Sequence, residues 1–160
     1  MEVLTELVIY LSAGIAMGFG AIGSGIGEGL AGGKAVEAAA RQPGVQGDIM
    51  KTMLIGQAIS ESGGIYALVI AVLLLFTAPQ EALTLGKVAA LLGSGICMGF
   101  GALGPGLGIG YAASKGVEGV GRSPHNEPVI FRTMLIGQAV SGSTSIYAMV
   151  VSLLLLFVIK

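Results

Sequence analysis

The stretch MGFGAIGSGIGEGL, from Met17 to Leu30, has glycine at almost every second position of an otherwise apolar run. It returns 81 residues later as MGFGALGPGLGIGY, from Met98 to Tyr111. Glycine weakens a helix in water, but small residues allow the backbones of membrane helices to approach closely. The stretch therefore predicts two closely packed membrane helices and an internal duplication of the chain.

The composition of the 160-residue chain is that of a membrane protein. Hydrophobic residues make up 54% of it, charged residues only 11%, and Trp is absent. The net charge of −1, without a long basic run, argues against a nucleic-acid partner. The first ten residues, MEVLTELVIY, carry acids where a signal peptide needs positive charge, so we expect the first helix to belong to the mature protein.

Four apolar stretches are long enough to cross a hydrocarbon core of about 30 Å as helices. We predict helices over about residues 4–40, 47–77, 82–121 and 127–158. The fold class is then an all-α membrane protein of four transmembrane helices, made of two tandem hairpins over residues 1–80 and 81–160.

The two hairpins are copies that share their direction in the membrane. TMLIGQA begins at Thr52 and again at Thr133. Six of the eight Lys and Arg residues flank the two hairpin turns, which predicts that both turns are cytoplasmic and both termini outside. The glycine-rich first and third helices suit the inner circle of a ring, and the bulky second and fourth suit an outer circle facing lipid.

Two acids in the first hairpin are candidates for ion chemistry. Glu28 and Glu61 each lie 13 residues from the first turn, so both should be about 20 Å from it. A charged group at the bilayer centre costs at least about 2.5 kcal/mol and usually serves transport. Ionising one of two adjacent carboxyl groups disfavours ionising the other, so we expect the pair to keep one proton. The second hairpin has Ile109 and Gly142 at these positions.

GSGIGEGLAGGKAVEAAARQP (23–43), followed by TMLIGQAISESGGIYALVIAVLLLF (52–76), closely resembles the c subunit, or proteolipid, of rotary F-type ATP synthases. The alternating glycines, the Arg-x-Pro turn and the mid-membrane acid carry the resemblance. The usual F-type subunit is one hairpin, whereas a fused double hairpin that has lost one carboxylate is more similar to the vacuolar type.

The resemblance implies a non-catalytic rotor subunit in the plasma membrane of a prokaryote. Such subunits form a homo-oligomeric ring in membrane lipid that turns against a stator a subunit while ions bind to the acid. Arg41, Gln42 and Pro43 match the family's contact with the central-stalk subunits. The sequence leaves open whether single-hairpin c subunits join the same ring.

The resemblance also implies a site shared between neighbouring hairpins. Glu61 and Glu28 would come from one hairpin, and the Val140 carbonyl, Ser143 and Tyr147 from its neighbour, with Thr144 placed to hold a water molecule.

The opposite interface would have hydroxyl groups but no charge. There Ser62 and Tyr66 would face Ile109 and Gly142, so we expect no cation to bind. Na⁺ is favoured as the ion at the acid-bearing interface, because a hard cation needs several oxygen ligands whereas a proton site needs only the acid. H⁺ stays the alternative, and no organic cofactor is expected.

Two other functions compete with this interpretation. A vacuolar or archaeal ATPase rotor also uses fused hairpins, but the RQP turn favours the F-type. A small proton-coupled multidrug exporter also has four spans and an intramembrane Glu, but it needs aromatic residues to hold its substrate, and this sequence has no Trp.

Overall fold

The computed structural model describes residues 2–77 and 84–157, and nearly all of these are helical. The helices are α1 (Glu2–Arg41), α2 (Gln46–Ser60), α3 (Ser62–Thr77), α4 (Leu85–Arg122) and α5 (Glu127–Phe157). Short 3₁₀ turns, Pro43–Val45 and Pro124–Asn126, connect the helices within each hairpin. The predicted all-α fold of two hairpins is confirmed.

The predicted helix limits are close to the observed ones, with two differences. The second helix, expected over 47–77, is one membrane span from Pro43 to Thr77; only its helical hydrogen bonding is interrupted, at Glu61, where the backbone keeps helical angles (φ −68°, ψ −23°). The third was expected from about residue 82, but α4 begins at Leu85, and the Thr84 side chain caps it by accepting a hydrogen bond from the Lys87 N–H at 3.3 Å. The predicted hairpin boundary and the last predicted helical residue lie outside the described residues.

All four spans are long and apolar enough to cross a membrane. Helix α1 alone has 40 residues, which is about 60 Å and roughly twice the hydrocarbon thickness. Its last two turns carry an ion pair between Lys34 and Glu37, with Nζ and Oε2 2.9 Å apart. The duplicated pair, Lys115 and Glu118, is at 3.0 Å on α4. The charged ends of α1 and α4 thus lie side by side at the turn end of the molecule.

Helices α1 and α4 pack in direct backbone contact, because glycines leave no side chain between them. A side-chain carbon at Gly106 would lie only 2.6 Å from the carbonyl carbon of Gly23, and one at Gly95 would lie 2.9 Å from that of Ser12. Helices α2 and α3 lie against both α1 and α4, while α5 packs mainly on α4. The chain therefore forms two layers, with α1 and α4 in one and the bulkier helices in the other.

Apolar cores lie on both sides of a more polar middle zone. Towards the termini, Ile9, Ile70, Leu74 and Met98 are fully buried or nearly so, and towards the turns Ile49 packs with small and β-branched residues of α1 and α4. The middle zone contains Glu61 and the helix interruption, and it forms the candidate site.

Candidate ion-binding site

Glu28 and Glu61 line one pocket of about 270 Å³ on the outer edge of the first hairpin. Glu28 is half-buried and Glu61 is exposed. The pocket belongs to the first hairpin alone, since its lining residues are Met17, Ala21, Ser24, Gly25, Glu28, Glu61, Gly64, Ile65 and Leu68. Among the described residues no group of three or more His, Cys, Asp or Glu side chains clusters, and the two acids of this pocket are Glu28 and Glu61.

Glu61 lies between α2 and α3 and keeps a helical hydrogen bond on each side. Its N–H donates to the Gln57 carbonyl oxygen at 3.0 Å, and its own carbonyl accepts from the Ile65 N–H at 3.1 Å. Gln57 donates its side-chain N–H to the Glu28 carbonyl oxygen at 3.1 Å. This bond ties α2 to α1 next to both acids.

In the second hairpin, the equivalent edge is buried against the first hairpin. The five α4 residues equivalent to the α1 lining of the pocket are all buried: Met98, Ala102, Pro105, Gly106 and Ile109. Ser60 of the first hairpin donates to the Gly106 carbonyl oxygen at 3.1 Å, and a side-chain carbon at Gly142 would lie 3.4 Å from Ile109 Cδ1. An isoleucine therefore occupies this interface where the other edge has a carboxyl group.

Within one chain, the ligands predicted on α5 are not brought to Glu61. None of Val140, Ser143, Thr144 and Tyr147 lines its pocket, and Val140 and Tyr147 are 69% and 64% exposed. The Ser143 hydroxyl donates to the Val140 carbonyl oxygen at 2.8 Å, so two of the predicted ligand oxygens are already adjacent.

In the first hairpin, the counterpart of Tyr147 lies at the interface inside the chain. Ser62 and Tyr66 are half-buried, and Tyr66 packs against the core built by α1, α3 and α4. Ser62 donates to the Ile59 carbonyl oxygen at 2.8 Å, as Ser143 does to Val140. The two hairpins thus repeat the same bond from serine to carbonyl oxygen, whereas the tyrosine is half-buried in the first hairpin and exposed in the second.

A larger cavity of about 430 Å³ lies elsewhere, between α4 and α5 near Lys115 and Met134. Three of its lining residues correspond in the first hairpin to Ala35, Ala38 and Ile49, which are buried against the second hairpin. This cavity is consequently part of the same uncovered edge as Val140.

One residue beside the acids was missed by sequence reasoning. Ser24 is buried, lines the pocket, and accepts a hydrogen bond at 3.1 Å from the N–H of Gly64. The duplication could have indicated it, because the counterpart of Ser24 in the second hairpin is Pro105 and not serine.

The residues matched to a stalk contact, Arg41, Gln42 and Pro43, are exposed at the first hairpin turn.

Four helices long and apolar enough to span a membrane, in two tandem hairpins packed through glycines, with two carboxyl groups lining one pocket, define a multi-span membrane protein with an acidic site between its helices. The chain belongs to the ATP synthase C-subunit family, whose model matches it twice, over residues 11–74 and 92–155. It is a non-catalytic membrane component of the rotor ring.

Relatives named as ATP synthase c subunits confirm the double length. That of Alkaliphilus oremlandii is 55% identical over 84 residues, which are 94% of the relative but 49% of this chain. That of Natranaerobius thermophilus is 59% identical over 69 residues, which are 79% of the relative and 43% of this chain. That of Citrifermentans bemidjiense is 49% identical over 92 residues, which are 99% of the relative and 56% of this chain. Each relative corresponds to about half of this chain.

Proposed function

We propose that this protein carries one cation, Na⁺ or alternatively H⁺, in a site that two neighbouring chains of the ring complete together. Glu61 and Glu28 come from one chain. The Val140 carbonyl oxygen, Ser143 and Tyr147 come from α5 of the next chain, with Thr144 holding a water molecule beside them. Residues 1–80 then form the carboxylate-carrying half, and residues 81–160 form the half that supplies neutral oxygens.

The observation that carries this proposal is the difference between two equivalent edges. The pocket edge of the first hairpin is open, whereas the equivalent edge of the second hairpin is buried by the first. Repeating that hairpin contact from chain to chain is a head-to-tail association, which closes into a ring when the rotation permits. It would bring the exposed α5 residues of one chain onto the acids of the next.

Electrostatics then give the mechanism. A carboxylate without a partner is costly in hydrocarbon, so Glu61 can face lipid only when a cation or proton neutralises it. At the stator, a fixed positive charge would compete for the carboxylate and displace the ion into an exit path. Rotation of the ring would couple this ion flow to ATP synthesis in the catalytic part of the complex.

The oxygen content of the composite site favours Na⁺. Two carboxyl groups, a backbone carbonyl and hydroxyl groups give a hard cation the several oxygens that it requires, whereas a proton needs one. A protonated Glu28 offers its carbonyl oxygen to the ion and its hydroxyl group to the ionised Glu61.

The remaining features follow from the charges outside the membrane. Lys and Arg concentrate at the turn end, which supports cytoplasmic turns and external termini in the plasma membrane of a prokaryote. The exposed Arg41, Gln42 and Pro43 would then face the central stalk.

Labelling of the intact ring with a carboxyl-directed carbodiimide tests the proposal. We expect Glu61 to be modified and Na⁺ to slow the reaction at neutral and alkaline pH. Glu61→Gln should abolish the label, while Glu28→Gln should keep the Na⁺ protection because an amide supplies the same oxygen. Labelling that depends on pH but not on Na⁺ would show that H⁺ is the ion, and absence of a Glu61 label would overturn the site.

A further inference from the structure

Ser24 and Gly64 form a buried contact between α1 and α3 immediately beside the acids. The Gly64 N–H donates to Ser24 Oγ at 3.1 Å, and Ser24 is only 6% exposed. Ser24 lies one helical turn from Glu28, and Gly64 lies three residues after Glu61. A side-chain carbon at Gly64 would be 2.8 Å from Ser24 Oγ, so a larger residue there would displace the Ser24 hydroxyl.

The duplication shows which features accompany this contact. In the second hairpin Ser24 is replaced by Pro105 and Gly64 by Ser145, at the level where both acids are lost. Helix α5 runs unbroken through Gly142, whereas the first hairpin is interrupted at Glu61. The Ser145 hydroxyl is buried and has no hydrogen-bond partner among the described residues, so it makes no bond that replaces the one between Ser24 and Gly64.

We propose that Ser24 is a positioning residue for Glu61. Its hydroxyl oxygen holds the Gly64 N–H, fixes the start of α3 against α1, and so sets the direction in which the interrupted turn presents the carboxyl group. Ser24 acts through the backbone and is not a ligand of the ion. This inference rests on the proposed ion-carrying role of Glu61 and adds a residue that the carboxylate pair alone does not require.

The test compares Ser24→Ala, Ser24→Thr and Ser94→Ala in intact rings. Ser94 is the matched control, since it is also a buried serine of an inner helix and donates to the Ser152 carbonyl oxygen at 3.0 Å, away from the acids. The measurement is the Na⁺ concentration that halves carbodiimide labelling of Glu61. A neutral hydrogen bond contributes about 1 kcal/mol, so Ser24→Ala should raise this concentration by roughly fivefold.

Ser24→Thr should stay within about twofold of the unmodified ring, because it keeps the hydroxyl oxygen. Ser94→Ala should lower the thermal stability of the ring without changing the Na⁺ concentration that halves the labelling (the Na⁺ midpoint). An unchanged midpoint in Ser24→Ala, or an equal shift in Ser94→Ala, overturns the inference. If Na⁺ protects no ring at all, the Na⁺ proposal fails by itself. The labelling rate of Ser24→Ala at fixed pH then decides the inference, an unchanged rate overturning it.

A second experiment rebuilds the site in the second hairpin, and it does not depend on whether Ser24→Ala folds stably. Ile109→Glu with Gly142→Glu adds the missing acids, and Pro105→Ser with Ser145→Gly adds the anchor. We expect Na⁺ protection of the new acid at position 142 only in the fourfold variant. Equal protection in the twofold variant would show that the anchor is unnecessary.

Discussion

Gly99 of α4 lies directly against Ile15 of α1, whose carbonyl oxygen is 2.7 Å from the place that a side-chain carbon would take. Gly18 is the equivalent residue of the first copy, and a side-chain carbon there would have no described atom within 4 Å apart from the adjacent backbone of α1. Gly14, Gly25 and Gly29 repeat this contrast with Gly95, Gly106 and Gly110. In the proposed ring, the glycines that are open in the first copy are the ones that face another chain.

Gly18→Val and Gly99→Val should therefore fail at different stages. Gly99→Val overpacks the contact between α1 and α4, at a cost of about 1–3 kcal/mol, and should destabilise the single chain. Gly18→Val should leave the chain folded and block ring formation. Circular dichroism reports folding, and gel electrophoresis in mild detergent reports rings. A stable ring of Gly18→Val would show that this edge does not face another chain.

The two equivalent serines, Ser143 and Ser62, should differ in their effect on ion binding. Both serines are half-buried in one chain. In the proposed ring, Ser143 lies at the interface that holds the acids and Ser62 at the interface without them. Losing one oxygen ligand costs about 1.4 kcal/mol, so Ser143→Ala should raise the Na⁺ concentration for half protection roughly tenfold. Ser62→Ala should change it less than about twofold. The reverse ranking would place the site at the interface within one chain.

The length of the apolar runs and the alternation of glycines were sufficient to predict the helices, because both are local properties of the sequence. The interruption at Glu61 was not predictable in this way, since it accompanies the bond from Gly64 to Ser24, forty residues away in sequence. The proposed ligands Val140 and Ser143 depend on a second chain. For the same reason, a single chain brings together the two acids but not the remaining oxygens.

Gln138 provides a test of the interface between the two hairpins. It is fully buried and donates to the carbonyl oxygens of Gly56 at 3.2 Å and Ile109 at 3.3 Å. Hydrogen bonds between membrane helices contribute on average about 0.6 kcal/mol, so Gln138→Leu should destabilise the chain by about 1 kcal/mol. The Glu61 label should not change. Chemical denaturation in detergent measures the first effect, and a large change in labelling would connect Gln138 to the ion site instead.

The number of ions per chain is the most direct consequence of the unequal hairpins. With Ile109 and Gly142 at the second pair of positions, exhaustive labelling should modify one carboxyl group per chain, at Glu61. Two hairpins would then pass the stator for each ion. Each ion supplies about 2.3 kcal/mol per 100 mV, so halving the ions per turn doubles the potential required for the same work. Mass spectrometry of the labelled chain counts the modified groups, and two Na⁺-protected labels per chain would contradict the single composite site.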